Sequence, residues 1–178
     1  YFNDQYGVAR HSGALAISRS GEVWAVGVNG LFKIDNRLDS LLFVKQLPAS
    51  LSTPPHEGRD LLIDHEDKIW MSYKNGFVQY FPQTNTYEVF NTGPFSRGVV
   101  KILERDSNTL GIATTRGGLV FWDIATKRII ANYVHSPFDE LSIRGLSIYT
   151  MYIDKVKNIW LGLFYGISIT NLETERFK

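Results

Sequence analysis

The side chains best placed to do chemistry in this 178-residue chain are four arginines at a recurring offset. Arg10, Arg59, Arg97 and Arg144 stand 14, 11, 14 and 16 residues ahead of Trp24, Trp70, Gly111 and Trp160. A second recurring position, a few residues beyond each of those markers, carries Asn29, Tyr73, Arg116 and Tyr165. Guanidinium groups grip carboxylate or sulfate through charge-assisted hydrogen bonds, and tyrosine rings stack on the apolar faces of sugars. The chemistry expected of the set is binding of a small molecule, an oligosaccharide or anionic sugar. Arg59, Arg97, Arg144, Arg116, Tyr73 and Tyr165 are the candidate ligand-binding residues. Solvated arginines on exposed loops are the plainer reading of the same positions.

Other chemistries find little support. The histidines, His11, His56, His65 and His135, show no pair at metal-ligand spacing. Asp64-His65-Glu66-Asp67 concentrates carboxylates but lacks the spaced oxygen ligands and the glycine of a calcium loop, so a β-turn is expected there. No phosphate-cradling glycine loop precedes a lysine, and no Gly-x-Ser-x-Gly turn is present. The absence of cysteine excludes thiol catalysis, disulfides and cysteine-ligated zinc. No catalytic residue, metal or cofactor is therefore expected. A net charge of +1 leaves nucleic acid without its usual electrostatic footprint, so it is not an expected partner. The longest apolar stretches, such as 143–153, fall far short of the roughly 20 residues that span a bilayer. The chain opens Tyr1-Phe2-Asn3, without Met or a leader's charged and apolar regions, and is expected to be a piece of a longer protein.

The elements that must position these residues follow from an internal repeat. Ile69-Trp70-Met71-Ser72-Tyr73-Lys74-Asn75-Gly76 echoes Val23-Trp24 through Gly30 and Ile159-Trp160 through Gly166. A degenerate copy, Leu110 to Gly117, has Gly111 in place of Trp. The markers are 46, 41 and 49 residues apart, the length of one propeller blade, about 40 to 50 residues. An apolar run precedes each marker, another follows each glycine, and a more polar run closes three of the units, with turn residues between. No window sustains helical spacing. The expected fold is all-β, a β-propeller of four-stranded antiparallel blades. About four blades are present, at 13–56, 57–96, 97–140 and 141–178, after a first segment, 1–12, that ends a preceding blade or serves as a linker. The outer strand of the last blade is expected to be incomplete. The Trp is expected to fill the wedge between adjacent blades while its indole nitrogen reaches a loop carbonyl. The Gly six residues on is expected at a positive φ or a close approach.

At these residues the sequence resembles the two-component regulator propeller repeats. The fourth unit carries the likeness best, with Ile153-Asp154, Asn158-Ile159-Trp160-Leu161-Gly162, Gly166-Ile167 and Asn171-Leu172-Glu173-Thr174; the second matches at Ile63-Asp64, Ile69-Trp70, Gly76-Phe77 and Thr84-Asn85-Thr86. Ser18 and Arg105 depart from the pattern where Asp64 and Asp154 stand. The resemblance implies the extracytoplasmic, periplasmic sensor region of a bacterial hybrid histidine kinase, or of a receptor with a diguanylate cyclase output. It also implies a seven-bladed type of propeller of which this is a part, and membrane attachment only through parts of the parent protein outside this chain. Two further readings stay open, a glycan-processing propeller enzyme and a protein-interaction scaffold. An array with uncovered terminal blades is further expected to form a homodimer.

Overall fold

The computed structural model describes residues 12–27, 30–35, 40–46, 58–91, 93–171 and 177. The chain divides into two compact units, Tyr1–Asn91 and Thr92–Lys178. In the first, β1 (Ser12–Ile17), β2 (Val23–Gly27), β3 (Gly30–Asp35) and β4 (Ser40–Gln46) form one antiparallel sheet in chain order. A second sheet follows from β5 (Gly58–Ile63), β6 (Ile69–Tyr73), β7 (Gly76–Phe81) and β8 (Thr86–Phe90). The second unit opens with a short 3-10 helix, Gly93–Arg97. A four-stranded sheet of β9 (Val99–Asp106), β10 (Thr109–Thr114), β11 (Leu119–Asp123) and β12 (Arg128–Tyr133) comes next. The last sheet holds β13 (Ile148–Ile153), β14 (Asn158–Leu163) and β15 (Gly166–Asn171), with one further bridge from Thr170 to Phe177 at its edge. These up-and-down sheets are the blades of a β-propeller fold, as the repeat predicts. Among the described residues the fourth blade has three strands and that single bridge.

Each unit buries its core between two sheets. In the first, Ala14, Ala16, Trp24, Val26 and Leu31 of one blade pack on Leu61, Ile63, Ile69, Met71 and Val78 of the next. The second unit repeats the arrangement, with Ala113, Leu119 and Phe121 against Met151, Ile153, Ile159 and Leu161. A sheet covered on both faces loses the alternation of buried and exposed residues. Every residue of β6, Ile69-Trp70-Met71-Ser72-Tyr73, is buried accordingly.

Trp24 and Trp70 are buried and Trp160 is exposed, and the indole nitrogens of Trp70 and Trp160 are held differently from the expectation. Trp70 Nε1 donates to Oδ2 of Asp64 at 2.9 Å, and Trp160 Nε1 donates to Oδ2 of Asp154 at 2.9 Å. The acceptor is a carboxylate six residues upstream, not a loop carbonyl. The same carboxylates organise the hairpin. Asp64 Oδ1 accepts the backbone N–H groups of Glu66 and Lys68, and Asp154 Oδ1 accepts those of Val156 and Asn158. Charged acceptors suit this work because each N–H bond to them is stronger than one to a neutral oxygen. The turn brings Asp67 and Lys157 to positive φ, 59° and 64°, in the place Gly21 takes in the first blade at 81°. Ser18, standing where Asp64 and Asp154 stand, keeps one part of the device: its Oγ accepts the N–H of Glu22 at 3.1 Å. Its side chain is shorter, and Trp24 instead lies beneath the Lys33 ammonium, 5.6 Å from the ring centre.

The third blade shows why Gly111 can replace Trp. Its cross-strand partner is Phe121, whereas the partners of Trp24, Trp70 and Trp160 on the same side are Lys33, Gln79 and Ile169. The aromatic ring has moved one strand outward. Arg105, in the aspartate's position, lays its guanidinium 4.1 Å from the Phe121 ring centre. A Cβ on Gly111 would already stand in ordinary van der Waals contact with Met151 and Phe121, whose nearest atoms lie 3.5 and 3.7 Å from its position.

The Asp154 carboxyl titrates below the usual aspartate range, first through the Trp160 indole bond and then through the Asn158 and Val156 donors. A depressed native pKa contributes stability that is present above the unfolded-state value and lost as pH falls through the native one. Acidification is therefore expected to hold the Trp160 environment constant through the ordinary carboxylate range and to release it only below. Trp fluorescence followed against pH, with Trp24, Trp70 and Trp122 replaced by Phe, measures this. A transition at ordinary aspartate pH would contradict it.

Candidate functional site

In the second unit, the connection from β12 to β13 and the hairpin from β14 to β15 come together around a cavity of about 720 Å³. The connection is fixed by its own polar groups. Ser142 Oγ donates to the backbone oxygens of Ser136 or Asp139 and accepts the Ser136 N–H. Asp139 accepts the N–H of Leu141, and buried Ile143 anchors the segment in the core. His135 Nδ1 lies 2.7 Å from the Ile143 carbonyl. A carbonyl oxygen can only accept, so Nδ1 carries the hydrogen and Nε2 remains for other partners. The Arg144 N–H donates to buried Ser168 Oγ at 3.0 Å, which pins the loop to β15.

The cavity that results is lined on the connection side by His135, Arg144 and Leu146, and across from them by Phe164, Tyr165 and Ile167. The rings form a stepped array. Tyr149 and Phe164 lie 6.1 Å apart and tilted, and Phe164 and Tyr165 lie 4.4 Å apart edge to face. The side chains of Arg144, Phe164 and Tyr165 are exposed. Exposed rings beside a guanidinium group suit a ligand that presents a flat apolar face and an anionic substituent.

The residues singled out in the sequence fall in several places. Arg144 and Tyr165 share this cavity. Arg116 is exposed on the turn from β10 to β11, and Arg97 is the last residue of the 3-10 helix. Those two segments adjoin, since Thr115 N donates to the Gly98 carbonyl at 2.7 Å. Arg59 is a strand residue of β5 in the first unit, half-buried. Tyr73 departs from the expectation altogether. It ends β6 with its ring buried, its hydroxyl 3.5 Å from Met71 Sδ, and burial holds its pKa well above the ordinary phenol value. It is a core residue because it continues the inward series Ile69, Met71, Tyr73 of a period-two strand. Arg10, Asn29, His11 and His56 lie outside the described residues. His65 sits in the β5 to β6 turn whose carboxylate, Asp64, is engaged by Trp70.

Sequence reasoning missed Tyr149, Phe164 and the position of His135. One signal was present: the hairpin that carries Lys74-Asn75 in the second blade carries Phe164-Tyr165 in the fourth. Two adjacent aromatic residues at a turn tip mark an exposed apolar patch, and such patches mark binding surfaces.

No protein-family model and no curated protein matches the chain. Solved structures do. The extracellular domain assigned to the hybrid two component system BT4673 of B. thetaiotaomicron aligns over 95% of this chain at 20% identity with a TM-score of 0.80. That assigned to BT3049 of the same organism aligns over 95% at 19% identity with a TM-score of 0.70. The chain spans 22% of the length of each. A virginiamycin B lyase from Staphylococcus aureus aligns over 94% of this chain and 54% of its own length, at 10% identity and a TM-score of 0.72. The fold is thus a β-propeller of a kind found in both signalling proteins and enzymes, and the fold alone does not choose between them.

Proposed function

We propose that this chain is a ligand-sensing segment of a membrane-bound bacterial receptor, acting on the periplasmic side, with a two-component histidine kinase as the output of the parent protein. The observation that carries the reading is the cavity built by the β12 to β13 connection and the Phe164-Tyr165 turn. It has the size of a small-molecule site, about 300 to 1,000 Å³, and combines rings with a cationic side chain. The likeness to extracellular domains of hybrid two-component systems supports the receptor part of the reading. The ligand is an oligosaccharide carrying a carboxylate or sulfate, its ring on Tyr165 or Phe164 and its anion on Arg144. Binding there alters how two receptors sit together and so biases the kinase.

The test is calorimetric titration of uronic-acid-bearing oligosaccharides into the chain and into Arg144→Ala and Tyr165→Ala. Loss of one charge-assisted bond is worth roughly 1.5–3 kcal/mol, so Arg144→Ala is expected to weaken binding about 10- to 100-fold. Both side chains are exposed, so thermal stability is expected to stay unchanged. Affinity that survives both substitutions would move the ligand elsewhere. Turnover of the oligosaccharide by the wild-type chain would replace the sensor reading with that of an enzyme.

A further inference from the structure

The guanidinium group and rings of the cavity fit an aromatic acid as well as an acidic sugar. Arg144 only donates hydrogen bonds, and the faces of Phe164 and Tyr165 accept any flat apolar surface. What separates the two ligands is the sugar's hydroxyl groups, which need acceptors as well as donors. An acceptor held in place beside Arg144 therefore decides which of them the cavity takes.

His135 meets that requirement. It lines the cavity and is half-buried, on the connection that runs between blade three and blade four, both present in the chain. Its ring is fixed from behind, because Nδ1 lies 2.7 Å from the carbonyl oxygen of Ile143, a core residue with no exposed surface. The hydrogen on Nδ1 sets the tautomer, and the neutral imidazole then carries its lone pair on Nε2. The connection itself is held by the Ser142 and Asp139 bonds and by the Arg144 N–H on Ser168 Oγ, so His135 and Arg144 are presented together by one braced segment. A donor and an acceptor set in advance cost a ligand little ordering on binding.

We infer that His135 is a specificity-determining residue of this cavity, its Nε2 accepting a hydrogen bond from a ligand hydroxyl while Arg144 takes the anion. The inference rests on the cavity being the ligand site proposed above. A site built to bond a hydroxyl group rejects the analogue that lacks one, because its own polar atom is then covered and left unpaired. The cavity accordingly prefers an acidic sugar to an aromatic acid of similar size.

The test uses oligogalacturonate, with phenylacetate as the hydroxyl-free anion, on the wild-type chain and on His135→Asn. An asparagine amide can take the place of Nδ1–H on the Ile143 carbonyl, but it has no atom at the position of Nε2. His135→Asn is expected to weaken oligogalacturonate about 2- to 10-fold, the loss of one neutral hydrogen bond, and to leave phenylacetate binding and the melting temperature unchanged. A second readout is independent of how the variant folds. In the wild-type chain labelled with ¹⁵N-histidine, the bare Nε2 resonance of His135 is expected to shift on adding oligogalacturonate, while Nδ1 stays protonated. Wild-type affinity in His135→Asn, or an Nε2 resonance unmoved at saturation, would overturn the inference and leave the ligand site standing. Failure of oligogalacturonate and other uronic-acid oligosaccharides to bind the wild-type chain would overturn both.

Discussion

Trp70→Ala is expected to lower the stability of the first unit by about 3–5 kcal/mol, the range for truncating a large buried aromatic side chain. Trp70 is 1% exposed and packs within a strand whose two faces are both buried. Its removal leaves a cavity, and it also strands Oδ2 of Asp64, a buried carboxylate whose other oxygen already serves the turn. An unsatisfied buried acceptor adds to the loss. For a chain of this length each kcal/mol moves the melting temperature by about 2–4 °C, so a fall of roughly 6–20 °C should be seen by circular dichroism. Trp160→Ala supplies the control. It removes a side chain with the same carboxylate partner, but one that is 38% exposed, so much less apolar area returns to water. Its expected loss is well under half that of Trp70→Ala. Equal losses would show that the indole–carboxylate bond, and not burial, is what the Trp contributes.

The second large effect is expected at Gly118, where alanine should cost about 3 kcal/mol or more. Gly118 sits at φ +86°, a conformation that costs an L-residue about 1–2 kcal/mol. A Cβ there would fall 2.0 Å from the Tyr133 carbonyl oxygen and 2.9 Å from its carbon. Those are backbone atoms of the neighbouring strand, which can withdraw only by loosening the pairing of β11 with β12, and forced repacking of that kind costs roughly a further 1–3 kcal/mol. Gly166 occupies the corresponding turn of the fourth blade at φ +144°, with nothing within 4 Å of the same Cβ position. Gly166→Ala should therefore show the conformational cost alone. Thermal unfolding of the two variants side by side measures the difference, and equal destabilisation would contradict the steric account.

The blades were legible because a hairpin repeats its punctuation. Trp24, Trp70 and Trp160 with Gly30, Gly76 and Gly166 set a period that no single strand's pattern is needed to establish. The third blade stayed in register despite Gly111, since the compensating ring, Phe121, lies across the hairpin and only the register shows that pairing. Its turn is also one residue longer, so Gly118 rather than Gly117 takes the place of Gly76. The indole partner was not legible for a related reason. Asp64 and Asp154 recur visibly, but their reach to an indole six residues on depends on a turn that closes through Asp67 and Lys157 at positive φ.

The site was legible in part. Arg144 and Tyr165 were placed by their offset from Trp160, because a loop entering an innermost strand and the hairpin beyond it emerge at the same end of a blade. Tyr73 has the same kind of offset and points the other way, since Lys74-Asn75 form the whole turn and Tyr73 is still strand. Alternation along Ile69, Met71 and Tyr73 held that information. His135 and Tyr149 depend on the conformation of residues 134–147, a connection fixed by Ser142 and Asp139 contacts that no periodicity encodes.

The central claim, that this chain is the sensing propeller of a membrane receptor, is tested most directly by reading the open frame on both sides of its coding segment. The account predicts further blades, a membrane span and a histidine kinase module downstream of residue 178. A diguanylate cyclase in the kinase's place would keep the sensor and change its output. A frame that closes soon after a complete propeller, with no membrane span, would contradict the account and turn attention to enzymatic and scaffolding roles.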